Sequence, residues 1–394
     1  MDTFFLPLVI SLLVLAAFLR DDFIFSLLYL LTGAYVLGRW WNHRALASIR
    51  VKRSLAEKAF IEEEIPVVLE ITNRSILPVV WARLHESLPV ELSTPNIFRR
   101  VVSFGPYEHT RFEYTLLARK RGYYPIGPLM VQSGDILGLA DQSKRESTCN
   151  YLTVFPKIIS LSNISLPSHS PMGTMRHNQP IFEDPSRVQG KRDYVAGDSL
   201  RQVDWKTSAV VGRLQVKQFE PSISMEAEII LNLNSREYES KTRFATTELA
   251  IVVAASLANW VIQKRQSIGL ITNGLDPISE EGKSQTIPSR KGRGQLLRVL
   301  DVLARVQPGE VEPFVDLLQR TSPHLSWGTT LLMITAQADE IFFDSLFQVF
   351  RRGQTVLLVL CGLVRGLEEI QRKANYYRFP IYNFLNERDM DVWR

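Results

Sequence analysis

Residues 190–220, which we call the charged segment, hold the densest set of side chains that could do chemistry. The sequence GKRDYVAGDSLRQVDWKTSAVVGRLQVKQFE mixes six Lys or Arg residues with four carboxylates and three aromatic residues. Carboxylates with raised pKa values could act there as general acid and base. The same charges could instead pair with each other and form an interface, in which Arg and aromatic residues are favoured.

Internal pairing is the interpretation that we favour for these charges. We expect Asp198 to pair with Arg201. Lys206 is expected to pair with Asp204 or Glu220. Because no candidate nucleophile, metal site or cofactor site accompanies them in the sequence, we predict a structural or docking role, with catalysis as the alternative.

Other catalytic and metal-binding patterns are missing from the sequence. The six histidines are scattered without an H-E-x-x-H motif, and no G-x-S-x-G motif marks a nucleophile elbow. Cys149 and Cys361 lack the C-x-x-C spacing of zinc and redox sites, and two cysteines are too few for a disulfide framework. We therefore expect no metal, no cofactor and no enzymatic activity, in a reducing compartment.

Length and composition leave room for more than one folded domain. The 394 residues are 45% hydrophobic and 22% charged, which suffices for two domains and a smaller element. The formal net charge of +5 is distributed along the chain. Such mild basicity fits a nearby anionic membrane surface better than a nucleic-acid groove. The lipid bilayer is thus an expected partner, and nucleic acid is not.

Two apolar runs open the chain. Residues 3–19 and 23–38 contain no charged side chain and are separated by three charged residues. At 1.5 Å per residue each run covers roughly 25 Å as a helix, slightly less than the hydrocarbon thickness of a bilayer. We predict a transmembrane helical hairpin over residues 1–44. The alternatives are an interfacial or re-entrant pair and a buried helical hairpin.

The charges that flank these runs predict the orientation. Arg39, Arg44 and Arg50 follow the second run closely, whereas the turn between the runs offers only Arg20. Lys and Arg concentrate on the cytoplasmic side of membrane segments. Both termini and the soluble domains are therefore expected in the cytoplasm.

Residues 45–156 show the pattern of a β domain. Short β-branched and aromatic runs alternate with period two and are separated by Pro, Gly and Asn. The predicted strands are residues 67–72, 79–84, 101–104, 111–117, 129–132 and 151–155. This pattern predicts an all-β sandwich of the immunoglobulin-like kind.

Residues 226–394 show alternating apolar strands and amphipathic helices, which are typical of a doubly wound α/β sheet. The predicted strands are residues 227–233, 267–272, 330–335 and 355–361. The predicted helices are residues 244–263, 295–306, 311–319, 339–350 and 366–376. In such sheets ligands bind at the carboxyl ends of the strands.

Residues 157–225 are predicted to be a linker followed by the charged segment. The stretch over residues 160–186 is rich in Ser and Pro and shows no periodicity. The alternation of Leu214 and Val216 predicts a strand. A turn at Pro221 is expected to make this strand an antiparallel hairpin with the first strand of the following sheet.

The charged segment resembles the signature of the domain-of-unknown-function-58 family. In that family the string R-x-Y-x-x-G-D-x-x-R-x-x-x-W-K-x-x-A precedes a strand of the form L-x-V-[KR]-x-[FY]-E. The matching residues are Arg192, Tyr194, Gly197, Asp198, Arg201, Trp205, Lys206, Ala209, Leu214, Val216, Lys217, Phe219 and Glu220. The resemblance implies a bacterial membrane-anchored protein with a von Willebrand factor A-like α/β domain. Such proteins are often encoded beside MoxR-type AAA+ ATPases, which makes such an ATPase the expected protein partner.

The implied von Willebrand factor A-like fold would ordinarily hold a metal ion after its first strand. The motif there is D-x-S-x-S, because Mg²⁺ needs hard oxygen ligands and negative charge. This chain has Asn232, Asn234 and Arg236 at the three positions. We therefore expect a degenerate site without a metal. Our hypothesis is that the Arg236 guanidinium partly replaces the ion.

These observations predict a scaffold rather than an enzyme. We expect a protein anchored in the bacterial inner membrane that docks a protein partner during the assembly or maturation of other proteins. The expected interaction or structural motif is formed by Arg192, Tyr194, Gly197, Asp198, Arg201, Trp205, Lys206, Lys217 and Glu220. The alternative is a membrane-bound hydrolase or processing factor that uses the charged segment.

Overall fold

The chain divides into two compact units, Met1–Lys157 and Ile158–Arg394. The structure is a computed structural model. It describes residues 2–19, 22–92, 98–134, 141–146, 148–162, 164, 183–221, 226–279, 285–364, 366–377 and 379–393.

Two apolar helices begin the first unit. Helix α1 spans Asp2–Leu19 and helix α2 spans Asp22–Ser48, and the two pack against each other. Their described apolar side chains are largely exposed, with Phe18 86% and Phe23 72% exposed. Helix α2 is long and apolar enough to cross a membrane, and α1 is a shorter apolar helix. Both are therefore candidate membrane helices.

The end of α2 is anchored in the β structure that follows it. The indole nitrogen of Trp41 donates to the Pro78 carbonyl at 3.0 Å, and the amide of Asn42 donates to the Ser133 carbonyl at 3.0 Å. Leu46 is buried in the β core. Because these contacts stabilise the last turns, the helix continues well beyond the predicted apolar run.

The β part of the first unit forms three sheets among the described residues. Its strands are β1 (Ile49–Ser54), β2 (Lys58–Phe60), β3 (Glu64–Asn73), β4 (Val79–Glu86), β5 (Arg99–Phe104), β6 (His109–Leu117), β7 (Gly122–Ile126), β8 (Leu129–Gly134), β9 (Asp141–Arg145) and β10 (Asn150–Phe155). The sheet orders are β1-β3-β6, β5-β4-β8-β9 and β2-β10-β7. The strand pairs are antiparallel except β2 with β10.

Two of these sheets pack face to face. Sheets β1-β3-β6 and β5-β4-β8-β9 share a core that includes Ile49, Leu69, Ile71, Ala82, Leu84, Phe104, Phe112 and Val131. A second cluster continues this core beneath β2-β10-β7. Alternate residues along β3 are buried, as the period-two sequence pattern predicts. The part of the first unit that follows α2 is thus a layered all-β structure, and we call the first unit the all-β unit after it.

The second unit begins with the charged segment folded as a ribbon and a short helix. Strand β11 (Glu183–Asp193) pairs antiparallel with β12 (Gln215–Pro221), and helix α3 (Trp205–Val211) lies between them in sequence. The predicted pairing of β12 with the first strand of the following sheet is wrong, because both edges of that strand are occupied by parallel neighbours. Residues 165–182 of the predicted linker lie outside the described residues.

A six-stranded sheet forms the core of the second unit. Its strands are β13 (Glu226–Leu231), β14 (Ser267–Thr272), β15 (Gln285–Arg290), β16 (Thr330–Thr335), β17 (Thr355–Cys361) and β18 (Ile381–Phe384). Their order is β15-β14-β13-β16-β17-β18, and all neighbours are parallel except β14 with β15. Strands β14 and β15 lie on one side of β13, and β16 to β18 lie on the other side. In open sheets of this kind, a crevice forms beyond the carboxyl ends of the two strands where the order changes sides, here β13 and β16.

In the described part of this region, five α-helices connect these strands. They are α4 (Arg243–Gln263), α5 (Arg293–Arg305), α6 (Phe314–Thr321), α7 (Glu340–Arg351) and α8 (Leu367–Tyr376). Helix α4 also has the length and apolarity of a membrane span, but 78% of its apolar window is buried within the unit. Since its side chains pack on the sheet, α4 is a core helix of the α/β unit.

Candidate functional site

The Asp198 carboxylate is held by two elements of the charged segment. Both of its oxygens accept hydrogen bonds from the Arg192 guanidinium at 2.7 Å, and one also accepts from the Val195 backbone N–H at 2.9 Å. The hydrogen bonds from Arg192 and then from Val195 lower the pKa of Asp198. The predicted pairing of Asp198 with Arg201 is therefore wrong.

The Asp204 carboxylate caps helix α3. It accepts a hydrogen bond from the Thr207 backbone N–H at 3.1 Å, and the Lys191 ammonium lies 2.8 Å from it. The hydrogen bond from Lys191, followed by that from Thr207, lowers the pKa of Asp204 to about 2. Lys191, rather than the predicted Lys206, is thus the partner of Asp204. The side chain of Glu220 lies outside the described part of the structure.

Two glycines let the chain turn around these ion pairs. Gly197 has a φ of +113° and Gly212 has a φ of +70°, both in the region that favours glycine. Gly212 ends α3, and its N–H donates to the Ser208 carbonyl at 2.9 Å. The Tyr194 N–H donates to the Leu214 carbonyl at 2.9 Å and extends the ribbon. On the ribbon itself, Lys217 stands opposite Lys191.

The charged segment exposes apolar and basic side chains that lie close together in the sequence. We call Leu200, Arg201, Trp205, Lys206 and Val210 the docking face; Leu200 is 60%, Trp205 64% and Val210 83% exposed. Arg201 and Lys206 are exposed and form no ion pair or hydrogen bond with any residue that the structure describes. Exposed Trp and Arg side chains are those that contribute most at protein interfaces.

A second polar cluster follows the carboxyl end of β13. The side-chain oxygen of Asn232 accepts from the Asn234 backbone N–H at 3.0 Å and from the Asn273 amide at 3.1 Å. Its amide nitrogen donates to Glu237 at 2.7 Å and to the Thr335 hydroxyl at 3.0 Å. Because Asn232 is fully buried, these bonds fix its orientation.

The Glu237 carboxylate accepts hydrogen bonds from three residues, two in the loop after β13 and one at the start of α6. It accepts from the amide of Asn234 at 3.1 Å and from the Phe314 backbone N–H at 3.0 Å, in addition to Asn232. The side-chain oxygen of Asn234 accepts from the Arg236 backbone N–H at 3.2 Å. Since the amide oxygens accept protein N–H groups and the amide nitrogens face the carboxylate, this donor set does not fit a divalent cation.

The Arg236 side chain points away from this cluster. Its guanidinium is 73% exposed and pairs with Glu310 at 2.6 Å. The hypothesis that Arg236 replaces a metal ion is therefore wrong, because Glu237 is the charged group at the cluster. Among the described residues, no group of three or more His, Cys, Asp or Glu side chains is arranged to hold a metal ion.

The charged segment lies within the part of the chain that matches a known protein family. Residues 190–326 match the family model described as "Protein of unknown function DUF58". This match confirms the family resemblance of the charged segment over those residues. The "Uncharacterized protein YeaD" of Bacillus subtilis (strain 168) is 25% identical over 227 residues, which are 55% of this chain and 55% of that protein. The chain thus spans about half the length of this curated relative.

Two of the solved structures that resemble this chain are distant from it. A CARDB domain from Pyrococcus furiosus, solved in complex with di-metal ions, is 11% identical, with 27% of this chain and 91% of that chain covered and a TM-score of 0.21. Proximal thread matrix protein 1 from the mussel byssus is 10% identical, with 43% and 46% covered and a TM-score of 0.32. These scores are too low to support an argument about the fold.

Two residues of these clusters were missed by reasoning from the sequence. Lys191 precedes the family string, so motif spacing gave no reason to pair it with Asp204. Glu237 follows Arg236 directly in the sequence. An acidic residue next to the three degenerate metal positions could have been predicted to belong to the same cluster.

Proposed function

We propose that this chain is a membrane-anchored scaffold that binds a protein partner through the docking face. The observation that carries the proposal is the exposure of Trp205 beside Arg201 and Lys206, which have no partner in the described part of the chain. An aromatic anchor with unpaired cations suits a partner surface that combines an apolar pocket with carboxylates.

Anchoring is proposed through α1 and α2 as a transmembrane hairpin in the bacterial inner membrane. The exposed apolar surfaces of both helices support this proposal, since such surfaces are unfavourable in water. The arginines after the second apolar run, Arg39 and Arg44, support a cytoplasmic location of both soluble units.

The same proposal includes the folds of the two units. The strand order β15-β14-β13-β16-β17-β18, with one antiparallel edge strand, supports a von Willebrand factor A-like domain. The two packed sheets of the first unit support an immunoglobulin-like sandwich. We propose a transmembrane hairpin over residues 1–44 and a β-sandwich over residues 45–156. A linker with the charged segment covers residues 157–225, and the von Willebrand factor A-like domain covers residues 226–394.

Docking is favoured over hydrolysis by the state of the two carboxylates. The lowered pKa values of Asp198 and Asp204 keep both groups ionised at neutral pH, so neither is suited to donate a proton. Their oxygens are occupied by Arg192 and Lys191. In this proposal the ion pairs hold the ribbon and α3 in shape, while the docking face makes the contact.

The proposed partner class is a MoxR-type AAA+ ATPase, which the family resemblance suggests, and the proposed process is assembly or maturation of other proteins. The test is a binding titration of the purified ATPase on the full chain in lipid nanodiscs. Trp205→Ala and Arg201→Gln should each weaken binding by about tenfold or more.

Matched controls come from the same unit. Trp327 is 62% exposed, and Arg213 is 73% exposed with Asp193 at 3.7 Å. Trp327→Ala and Arg213→Gln should leave the affinity within about twofold of the natural chain. Equal effects of test and control variants, or no binding of the ATPase, would argue against this partner and this face.

A further inference from the structure

A basic cleft lies on the outer face of the sheet β5-β4-β8-β9 in the first unit. It has a volume of about 520 Å³, and its lining includes Arg83, His85, Arg99, Arg100 and Gln132. The described lining residues belong to the first unit, whereas the residues of the docking face belong to the second.

Strand register explains why the cations gather there. His85 on β4 stands opposite Arg99 on β5, and Arg83 stands opposite Gln132 on β8. Residues that face each other across antiparallel strands point to the same side of the sheet, about 5 Å apart. Since Arg83 and His85 are two residues apart, both rows lie on one face.

No carboxylate among the described residues of the cleft lining neutralises its cations. Arg83 forms no ion pair with any described residue. Arg100 stands opposite the buried Leu84, and its guanidinium lies over the rings of Phe98 and Phe112, so its charge belongs to the other face of the sheet. The Arg99 guanidinium donates to the ring nitrogen Nδ1 of His85 at 3.3 Å. Clustered cations without counter-charges raise the local concentration of anions, and a guanidinium presents a fork of donors that fits phosphate oxygens.

The cleft begins close to the point where α2 leaves its apolar run. The amide of Asn42 donates to the carbonyl of Ser133, and Ser133 follows the cleft residue Gln132 directly on β8. Adjacent Cα atoms are about 3.8 Å apart. Trp40, two residues before Asn42, is exposed and is of the type that sits at the headgroup level of a bilayer.

We propose that this cleft binds the phosphate group of an anionic phospholipid headgroup, with Arg83 and Arg99 as the principal donors. The proposal rests on the membrane anchoring proposed above, because that anchoring brings the cleft to the headgroup layer. A bound headgroup would supply the negative charge that the cleft lacks and would fix the all-β unit against the membrane surface.

The test measures binding of short-chain lipids to the full chain in a non-ionic detergent by titration calorimetry, with protein-free micelles as the blank. Dihexanoyl-phosphatidylglycerol should bind about tenfold or more tightly than dihexanoyl-phosphatidylcholine. The double variant Arg83→Gln and Arg99→Gln should abolish this preference. Both side chains are exposed, so the variant should fold, and an unchanged thermal unfolding midpoint verifies this.

A charge-matched control separates the cleft from general attraction to anions. Arg74 and Arg111 are exposed on the same unit outside the cleft, and Arg111 pairs with Glu113 on the other sheet. The double variant Arg74→Gln and Arg111→Gln should keep the preference for phosphatidylglycerol. An equal loss in both double variants would overturn the proposal.

Two further arms identify the ligand. Inorganic phosphate or a hexaglutamate peptide that displaced phosphatidylglycerol at an equal or lower concentration would overturn the lipid assignment in favour of free phosphate or an acidic protein segment. Weak competition by both supports it. The lipid titration needs neither a bilayer nor the docking face. Its result can therefore be interpreted even if the ATPase does not bind or the chain is extracted from membranes.

Discussion

The Glu237 carboxylate determines what the loop after β13 can hold. It accepts hydrogen bonds from the amides of Asn232 and Asn234, so these side chains present nitrogen atoms where a metal site would present oxygens. Removing the carboxylate leaves buried donors without a partner, and each such donor costs about 1–3 kcal/mol.

Millimolar Mg²⁺ is therefore expected to leave the thermal unfolding midpoint of the full chain unchanged. Glu237→Ala should destabilise the second unit by about 2 kcal/mol or more, whereas Glu310→Ala, which breaks only the exposed pair with Arg236, should cost less than about 1 kcal/mol. A clear rise of the unfolding midpoint on adding Mg²⁺ would contradict the claim that the side chains of this loop bond to each other and do not bind a divalent cation.

Glu228 gives the second unit a pH dependence. Burial, followed by repulsion from Glu226, raises the pKa of Glu228 from 4.5 to about 7, although bonds from Ser289 oppose the shift. Since the folded pKa exceeds the unfolded one, the stabilising contribution is complete below about pH 4.5 and is lost as the pH rises to about 7. The loss amounts to about 3 kcal/mol.

Glu228→Gln should remove this decline of stability between pH 5 and pH 8. Thermal unfolding of the two proteins across that range measures it, and the variant should be the more stable one at about pH 8. The exposed Glu239→Gln should keep the natural slope. An unchanged slope in Glu228→Gln would show that Glu228 is not the responsible group.

At the residue level, the sequence singled out the side chains of the charged segment but did not predict how they pair. Arg192 and Asp198 meet only because the chain turns through Gly197, and Lys191 reaches Asp204 only because β11 lies beside α3. These contacts depend on backbone geometry, which motif spacing does not contain.

At the scale of elements, burial explains which strands could be predicted. Strands β14, β16 and β17 have the predicted bounds, because both of their faces are buried and their sequences are continuous apolar runs. Strand β15 was missed because it is a polar edge strand that contains Pro288, and β18 because it has only four residues. The pairing of β12 with β11 was missed because it depends on which edges of β13 are free.

The left-handed conformation of Gly212 allows α3 to end before β12. Gly212→Ala should cost about 1–2 kcal/mol of local stability, because φ of +70° is unfavourable for a residue with a Cβ. Hydrogen exchange of the amides over Trp205–Val211 should become faster, and affinity for the protein partner should fall with it.

Gly190 provides the control for this element. It lies on β11 without a positive φ and has open space where a Cβ would be added. Gly190→Ala should leave hydrogen exchange in α3 unchanged. If both variants behaved alike, the special role of Gly212 would be refuted.

At the scale of the molecule, the sequence periodicity predicted the type of structure in each region. Where an element ends was decided by tertiary contacts. The apolar helices, the all-β unit and the α/β sheet are each encoded by a periodicity that a short window contains. Helix α2 exceeds its apolar run because Trp41 and Asn42 contact the β structure. The domain limits and the cytoplasmic orientation remain predictions.

Cys149 is exposed and Cys361 is buried, which allows the orientation to be tested on the natural chain. A membrane-impermeant maleimide should label Cys149 only after the bacterial membrane is broken, and Cys149→Ser should abolish the labelling. The chain should also resist alkaline carbonate extraction, since α1 and α2 expose apolar surface. Labelling of intact cells, or full extraction by carbonate, would contradict the proposed topology.

The central claim is that a protein partner contacts the docking face, and photocrosslinking from position 205 in living cells tests it most directly. With p-benzoylphenylalanine in place of Trp205, we expect a crosslink to one distinct protein, which is lost in the additional variant Arg201→Gln. The same photoreactive residue in place of Trp327, which is similarly exposed, should not give that product. Equal products from both positions, or crosslinks from position 205 only within the chain itself, would contradict the claim.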